Sequence, residues 1–196
     1  MKNFLVCAAA AFIIGAGILP AFAQAQNTDG GNNKMAAKKI LVAYYSHSGN
    51  TEKIAKEIQT AAGADIFEIE TTHIYPSDYD KLINQAKKEI ADDFKPALKT
   101  KLNNIAEYDI IFVGSPNWWS SIAPAVSSFL NQHDFSGKTV IPFCTHGGGG
   151  LANISKNITK QLENKAVVLN GKAFRQYSSD SKKEIADWLK ELDKQL

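Results

Sequence analysis

Cysteine is scarce in this chain: 196 residues hold only Cys7 and Cys144. Cys7 lies inside an N-terminal apolar run. Removing that run leaves Cys144 alone, which excludes an intramolecular disulfide framework. Net charge is scarce as well. A formal balance of +2, with no basic run interleaved with aromatics, excludes the electrostatic footprint of a nucleic-acid binder. No Gly-x-Gly-x-x-Gly and no Walker pattern occurs, so primary dinucleotide or ATP binding has no support. His47, His73, His133, His146 and Cys144 show no metal-ligand spacing. What remains is ordinary for a globular protein: 44% hydrophobic and 21% charged residues, enough to bury a proper core.

The one long apolar run, residues 4–19, follows Met1-Lys2-Asn3 and is broken by Pro20. Ala21-Phe22-Ala23 then supplies a small-x-small cleavage signal. By length alone the run is borderline for a bilayer span. With that ending it reads as a secretory signal over residues 1–23, which predicts export, as to a bacterial periplasm, with no stable membrane span after cleavage. Twin arginines are absent, which points to the general export pathway and to folding after translocation. Residues 24–38, with Asn27-Thr28-Asp29-Gly30-Gly31-Asn32-Asn33, read as a flexible linker. The folded domain is expected over residues 39–196.

Within that domain strands and helices alternate. Strands are expected at residues 39–45, 65–70, 108–114, 139–144 and 166–169. Helices are expected at 51–62, 78–94, 124–130, 151–162 and 182–196; the first, second and last carry apolar residues at helical spacing, and Pro124 suits the first turn of the third. Such alternation implies an α/β fold: a doubly wound, five-stranded parallel sheet with helices on both faces. Ligands then bind beyond the carboxyl ends of the strands, at the switch point. With strand order 2-1-3-4-5, the loops after the first and third strands flank that crevice and the loop after the fourth adjoins it.

Those loops carry unusual chemistry. The first, Ser46-His47-Ser48-Gly49-Asn50-Thr51, joins a strand to a helix and aims backbone N–H groups and a helix N-terminus at one point, where anions collect. It adds three hydroxyls but no lysine or arginine, which suits a resident phosphate better than one undergoing transfer. The second loop, residues 115–121, holds Pro116, Asn117, Trp118 and Trp119, a wide π surface. The third, Thr145-His146-Gly147-Gly148-Gly149-Gly150, offers bare backbone. The set fits a phosphorylated, planar, aromatic ligand. The plain alternative for the first loop is a polar strand-to-helix turn capped by Asn50 or Thr51. Cys144, ending an apolar strand, reads as a buried and inert thiol. His146-Gly147-Gly148-Gly149 also invites comparison with a lipase oxyanion hole, but no Gly-x-Ser-x-Gly nucleophile elbow follows it.

Taken together, Tyr45-Ser46-His47-Ser48-Gly49-Asn50-Thr51, Gly114-Ser115-Pro116-Asn117-Trp118-Trp119 and Pro142-Phe143-Cys144-Thr145-His146-Gly147-Gly148 resemble the motifs of the flavodoxin-like family. The resemblance runs from Lys39 to Leu196, and flavodoxin is the standing example of FMN at this switch point. It implies FMN as cofactor and an electron carrier working with a redox partner protein or a small-molecule acceptor. Ser46, His47, Ser48, Gly49, Asn50 and Thr51 would cradle the phosphate. Pro116 and Asn117 would lie by the N5 edge, and Trp118 or Trp119 would stack on or shield the ring, while the other packs elsewhere. Thr145, His146, Gly147 and Gly148 would run along its pyrimidine end. Typical flavodoxins are strongly acidic and cytoplasmic, whereas this chain is nearly neutral and carries an export signal. The alternatives are an FMN-dependent NAD(P)H:quinone-type oxidoreductase and a flavodoxin-fold binding domain that has lost flavin.

Overall fold

Parallel strands buried on both faces must be apolar along their whole length, and the continuous runs of this chain form such strands. The structure, a computed structural model, describes residues 34–163 and 165–196. Strands β1 (Ile40–Tyr44), β2 (Asp65–Glu68), β3 (Ile110–Pro116), β4 (Thr139–Thr145) and β5 (Val167–Val168) are all parallel, in the order β2-β1-β3-β4-β5. That is the expected doubly wound sheet. Its helices are α1 (Asn50–Ala62), α2 (Tyr79–Ala91), α3 (Pro124–Gln132), α4 (Ile154–Gln161) and α5 (Ser181–Asp193).

The far edge differs from expectation. A further strand, β6 (Lys172–Phe174), also pairs in parallel with β4, so the single strand expected over 166–169 is two short pieces sharing one edge. The cause lies in β4. Val140 C=O accepts from Leu169 N–H, and His146 N–H donates to Phe174 C=O, so the even-numbered residues of β4 face this edge. Pro142 falls in that set and has no N–H to offer. The neighbouring chain bulges past it, and Gly171 fits the bulge because a Cβ there would meet Pro142 C=O at 2.7 Å.

Alternation along each strand divides the core in two. Ile40, Val42 and Tyr44 pack with Ile54 and Ile58 of α1 and with Ile185, Trp188 and Leu192 of α5. Leu41 and Ala43 pack on the opposite face with Val126 and Phe129 of α3 and Ile154 and Ile158 of α4. Each large side chain buried this way contributes about 1.5–3 kcal/mol. Asp78 caps α2 by accepting from Lys81 N–H at 2.9 Å, and Pro124 opens α3 where its missing N–H costs nothing. Helix α4 starts at Ile154 rather than 151, because Ala152 has φ 45°, outside the right-handed helical region.

The expected leader, residues 1–23, and most of the linker lie outside the described residues. The linker's last part is not free chain: Met35 is buried against the α5 side of the core, and its N–H donates to Asp193 Oδ1 at 2.8 Å. Folded structure therefore begins before residue 39. Among the described residues no helix is long and apolar enough to cross a membrane.

Candidate ligand-binding site

The fold brings all three loops to the carboxyl ends of β1, β3 and β4. In the first, Gly49 is the N-cap of α1 with φ 80°, a left-handed conformation that glycine adopts without strain. Neither Asn50 nor Thr51 caps the helix, contrary to the plain alternative. The first helical bond runs from Lys53 N–H to Gly49 C=O. The N–H groups of Asn50, Thr51 and Glu52 thus precede the helical ladder, and no side chain caps that turn. Ser46 Oγ is buried and has no hydrogen-bond partner. Ser48 Oγ accepts from Asn50 Nδ2 at 3.1 Å, which leaves its own proton to donate.

Thr51 and Thr145 are both buried, and their hydroxyls meet at 2.8 Å. This bond ties the first loop to the third. Only one of the two protons is used, so the other hydroxyl can still donate outward. His146 is anchored by its N–H on Phe174 C=O, and its ring Nδ1 is buried without a partner. Beyond it Gly147 and Gly148 are exposed, and a Cβ on either would meet nothing within 4 Å. The shelf above these glycines is open.

The second loop is knotted to the third. Asn117 N–H donates to Thr145 C=O at 2.8 Å, its Nδ2 donates to Gly150 C=O at 2.7 Å, and its Oδ1 accepts from Ser120 N–H at 3.0 Å. Both ends of the amide are therefore taken. Ser115 Oγ closes the loop by accepting from Ala123 N–H at 2.9 Å and donating to Pro116 C=O at 2.8 Å. Trp118 makes edge contacts with Tyr45, His47 and Tyr75 at 5.8, 6.0 and 5.0 Å. Trp119 turns outward: it is 51% exposed, has φ 51°, donates from Nε1 to Ile83 C=O at 2.8 Å, and lies under Lys87. The question of which tryptophan faces the first loop is thereby answered in favour of Trp118.

Sequence reasoning missed three residues. Tyr45 and Tyr75 complete the aromatic wall, and Glu89 of α2 receives Tyr75 O–H at 2.8 Å. Burial pushes both phenols up, for Tyr75 aided by the Glu89 hydrogen bond, so both stay neutral. Tyr75-Pro76 ahead of an amphipathic helix was the available signal. Burial also lifts the Cys144 thiol, to about 12, in keeping with an inert group. A cleft of about 590 Å³ among α2, α3 and α4 touches the second loop at its last residue, Ser121, away from the first-loop hydroxyls and the bare glycines.

The donor set is specific in what it can hold. Neutral hydroxyls and backbone N–H groups, one buried and partnerless, suit a phosphate ester; the open glycine shelf and the aromatic wall beside it suit a flat ring. Comparison with known proteins agrees. A family model described as Flavodoxin matches residues 39–192. A Bacteroides eggerthii protein of known structure, provisionally described as a flavoprotein, is 32% identical with a TM-score of 0.70, covering 78% of this chain and 96% of that one. A Brucella anthropi protein named NAD(P)H dehydrogenase (quinone) is 28% identical over 144 residues, 66% of this chain and 69% of the relative. A Picosynechococcus protein named flavodoxin is 28% identical over 143 residues, 71% of this chain and 70% of the relative.

Proposed function

Because the chain belongs to the flavodoxin family, whose cofactor is FMN, we propose that it is an FMN-binding electron-transfer protein with the coenzyme seated on the three-loop shelf. One observation carries the reading: the buried, partnerless Ser46 hydroxyl in the loop that leads into an uncapped helix start. Leaving such a hydroxyl unanswered costs about 1–3 kcal/mol, and a phosphate oxygen would answer it. Ser46, Ser48 and whichever of Thr51 and Thr145 keeps its proton free would donate to the phosphate, with the N–H groups of residues 50–52. His47 and Gly49 shape the turn. Trp118 would wall one side of the ring; Gly147 and Gly148 would let it approach the backbone closely, beside His146. Pro116 and Asn117 would border it as backbone, since the Asn117 side chain is taken.

FMN when bound supplies reversible one- and two-electron transfer, and the protein supplies placement and hydrogen bonding. The partner would be a redox protein or a small-molecule acceptor. The export reading belongs to the same proposal: a protein that folds after translocation takes up its FMN outside the cytoplasm. The visible spectrum of purified protein before and after adding FMN is the direct test. Saturable uptake with flavin absorbance is expected; protein that stays colourless in excess FMN would leave the second alternative, a flavodoxin-fold domain that has lost flavin.

A second reading, an FMN-dependent NAD(P)H:quinone-type oxidoreductase, draws support from the name of the Brucella anthropi relative. Steady oxidation of NADH or NADPH by a quinone in the presence of the holoprotein would favour it. Reversible flavin titration without such turnover would favour the carrier.

A further inference from the structure

Behind the second loop lies a polar knot that the loop chemistry does not use. Glu89 is only 9% exposed, and its carboxylate gathers Tyr75 O–H on Oε2 at 2.8 Å and Gln85 Nε2 on Oε1 at 2.8 Å, with His73 Nε2 at 2.9 Å from the same Oε1. A buried carboxylate is costly unless such bonds surround it. Its placement decides what it does. The hydroxyl end of Tyr75 is pinned by Glu89, while the ring of Tyr75 meets Trp118 at 5.0 Å and 71° and Tyr45 at 6.1 Å and 60°. Trp119 has its own tether to Ile83 C=O; the Trp118 ring is held by the rings around it.

We propose that Glu89 is the positioning residue of the cofactor site: acting through Tyr75, it fixes the Trp118 ring as the wall against which a flat ligand lies. This rests on the FMN reading above. A carboxylate suits the task because two oxygens serve donors arriving from two directions, one from Tyr75 and one from the α2 and residue 73 side. A glutamine offers a single acceptor oxygen, so either Tyr75 or the Gln85–His73 pair is left facing an amide N–H. Loss of the Tyr75 bond lets the phenol ring turn about its side-chain torsions, and Trp118 follows.

The test uses Tyr75→Phe, which keeps the ring and deletes the bond, beside Glu89→Gln. Tyr75→Phe is expected to weaken FMN binding about tenfold, the scale of a lost hydrogen bond to a charged group, and Glu89→Gln by up to as much, since a glutamine keeps only one of the two sets of bonds. In a Trp118→Phe background neither should weaken it further. A second readout needs no flavin: in the ligand-free protein, the indole N–H resonance of Trp118 should shift and broaden in Tyr75→Phe, while those of Trp119 and Trp188 hold still. Losses that add in the Trp118→Phe background, or an unmoved Trp118 resonance, overturn the proposal and leave Glu89 a structural group. If wild-type protein takes up no FMN, the cofactor reading falls instead, and the resonance alone decides the positioning role. Should Glu89→Gln fail to fold, Tyr75→Phe still decides between the two roles.

Discussion

The first loop and the second both carry serine and asparagine at the end of a strand, yet their polar groups end differently. In the first, Ser46 Oγ has no partner, Ser48 keeps a free proton, and α1 starts without a side-chain cap. In the second, Ser115 both donates and accepts, and Asn117 is bonded through its N–H, its Nδ2 and its Oδ1. Folding accounts for nearly every buried polar group; among the described residues Ser46 Oγ, His146 Nδ1 and, on α4, Ser155 Oγ are left without a partner, and on the FMN reading the first two are where a ligand would complete the structure. On that reading the first loop is a seat. The second and third, sewn together by Asn117, are a wall made before anything binds.

Alkaline pH should test that wall most strongly. Cys144 lies under it, with Sγ 3.5 Å from Gly150 C=O, and burial raises its thiol from an ordinary value near 9 to about 12. Below pH 9 the thiol is protonated both folded and unfolded, so its burial contributes fully. Above that the unfolded chain ionises and the native one does not, and this stability is lost progressively as pH rises towards 12. Cys144→Ala should flatten the onset of that decline in urea unfolding curves, leaving the buried tyrosines to act at higher pH. Native protein should also resist iodoacetamide at pH 9 until unfolded. Rapid alkylation of the native thiol would mean that the third loop opens freely and that no preformed wall exists.

Paired substitutions sharpen the same contrast. Asn117→Ala removes two side-chain bonds and should lower the unfolding free energy of ligand-free protein by about 2 kcal/mol. Ser46→Ala removes a buried hydroxyl with no partner, so ligand-free stability should hold or rise by up to about 1 kcal/mol, while FMN affinity falls about tenfold. Urea unfolding and fluorescence titration read the two quantities. Equal stability losses in both variants would erase the distinction between seat and wall.

Within the wall, the tryptophans should separate as well. Trp118→Ala should weaken FMN binding by roughly 0.5–1.5 kcal/mol, the worth of an aromatic contact beyond its area. Trp119→Ala, at an outward-facing and half-exposed position, should change it less. Affinity unchanged in both variants would remove the second loop from the site.

How much of this was legible in the sequence depends on the range of the interactions. The alternation of strands and helices and the hydroxyl-rich first turn follow from local pattern, apolar runs and helical spacing; the strand order 2-1-3-4-5 is a matter of long-range pairing and came with the flavodoxin resemblance. The outward turn of Trp119 was not legible, because it rests on positive φ at Trp119 and Ser120, where no glycine or asparagine announces it. Asn117 read as a ligand-side residue because its partners in the third loop, Gly150 and Thr145, are identified only once the two loops meet. Glu89 looked like one more charge on an amphipathic helix; its bonds to Tyr75 and His73 span 14 and 16 residues around a loop. Pro142 was a second overlooked local clue, after Tyr75-Pro76, since a proline inside a central strand forecasts the broken edge opposite it.

The smallest effect probes the seat itself. Glu52 lies in the first turn of α1, paired with Lys56 at 2.5 Å, and its Oε2 is 4.0 Å from where a Cβ on Gly49 would stand. A carboxylate there favours the positive end of the helix by about 0.3–1 kcal/mol, but it also faces the place a phosphate would take. Glu52→Gln should therefore cost the ligand-free protein a little stability and tighten FMN binding by about twofold, the scale of a partly exposed charge contact. Added salt should shrink the gain, because screening already weakens the repulsion it removes. If the substitution loosens FMN instead, the carboxylate assists the ligand, and the phosphate does not sit at the start of α1.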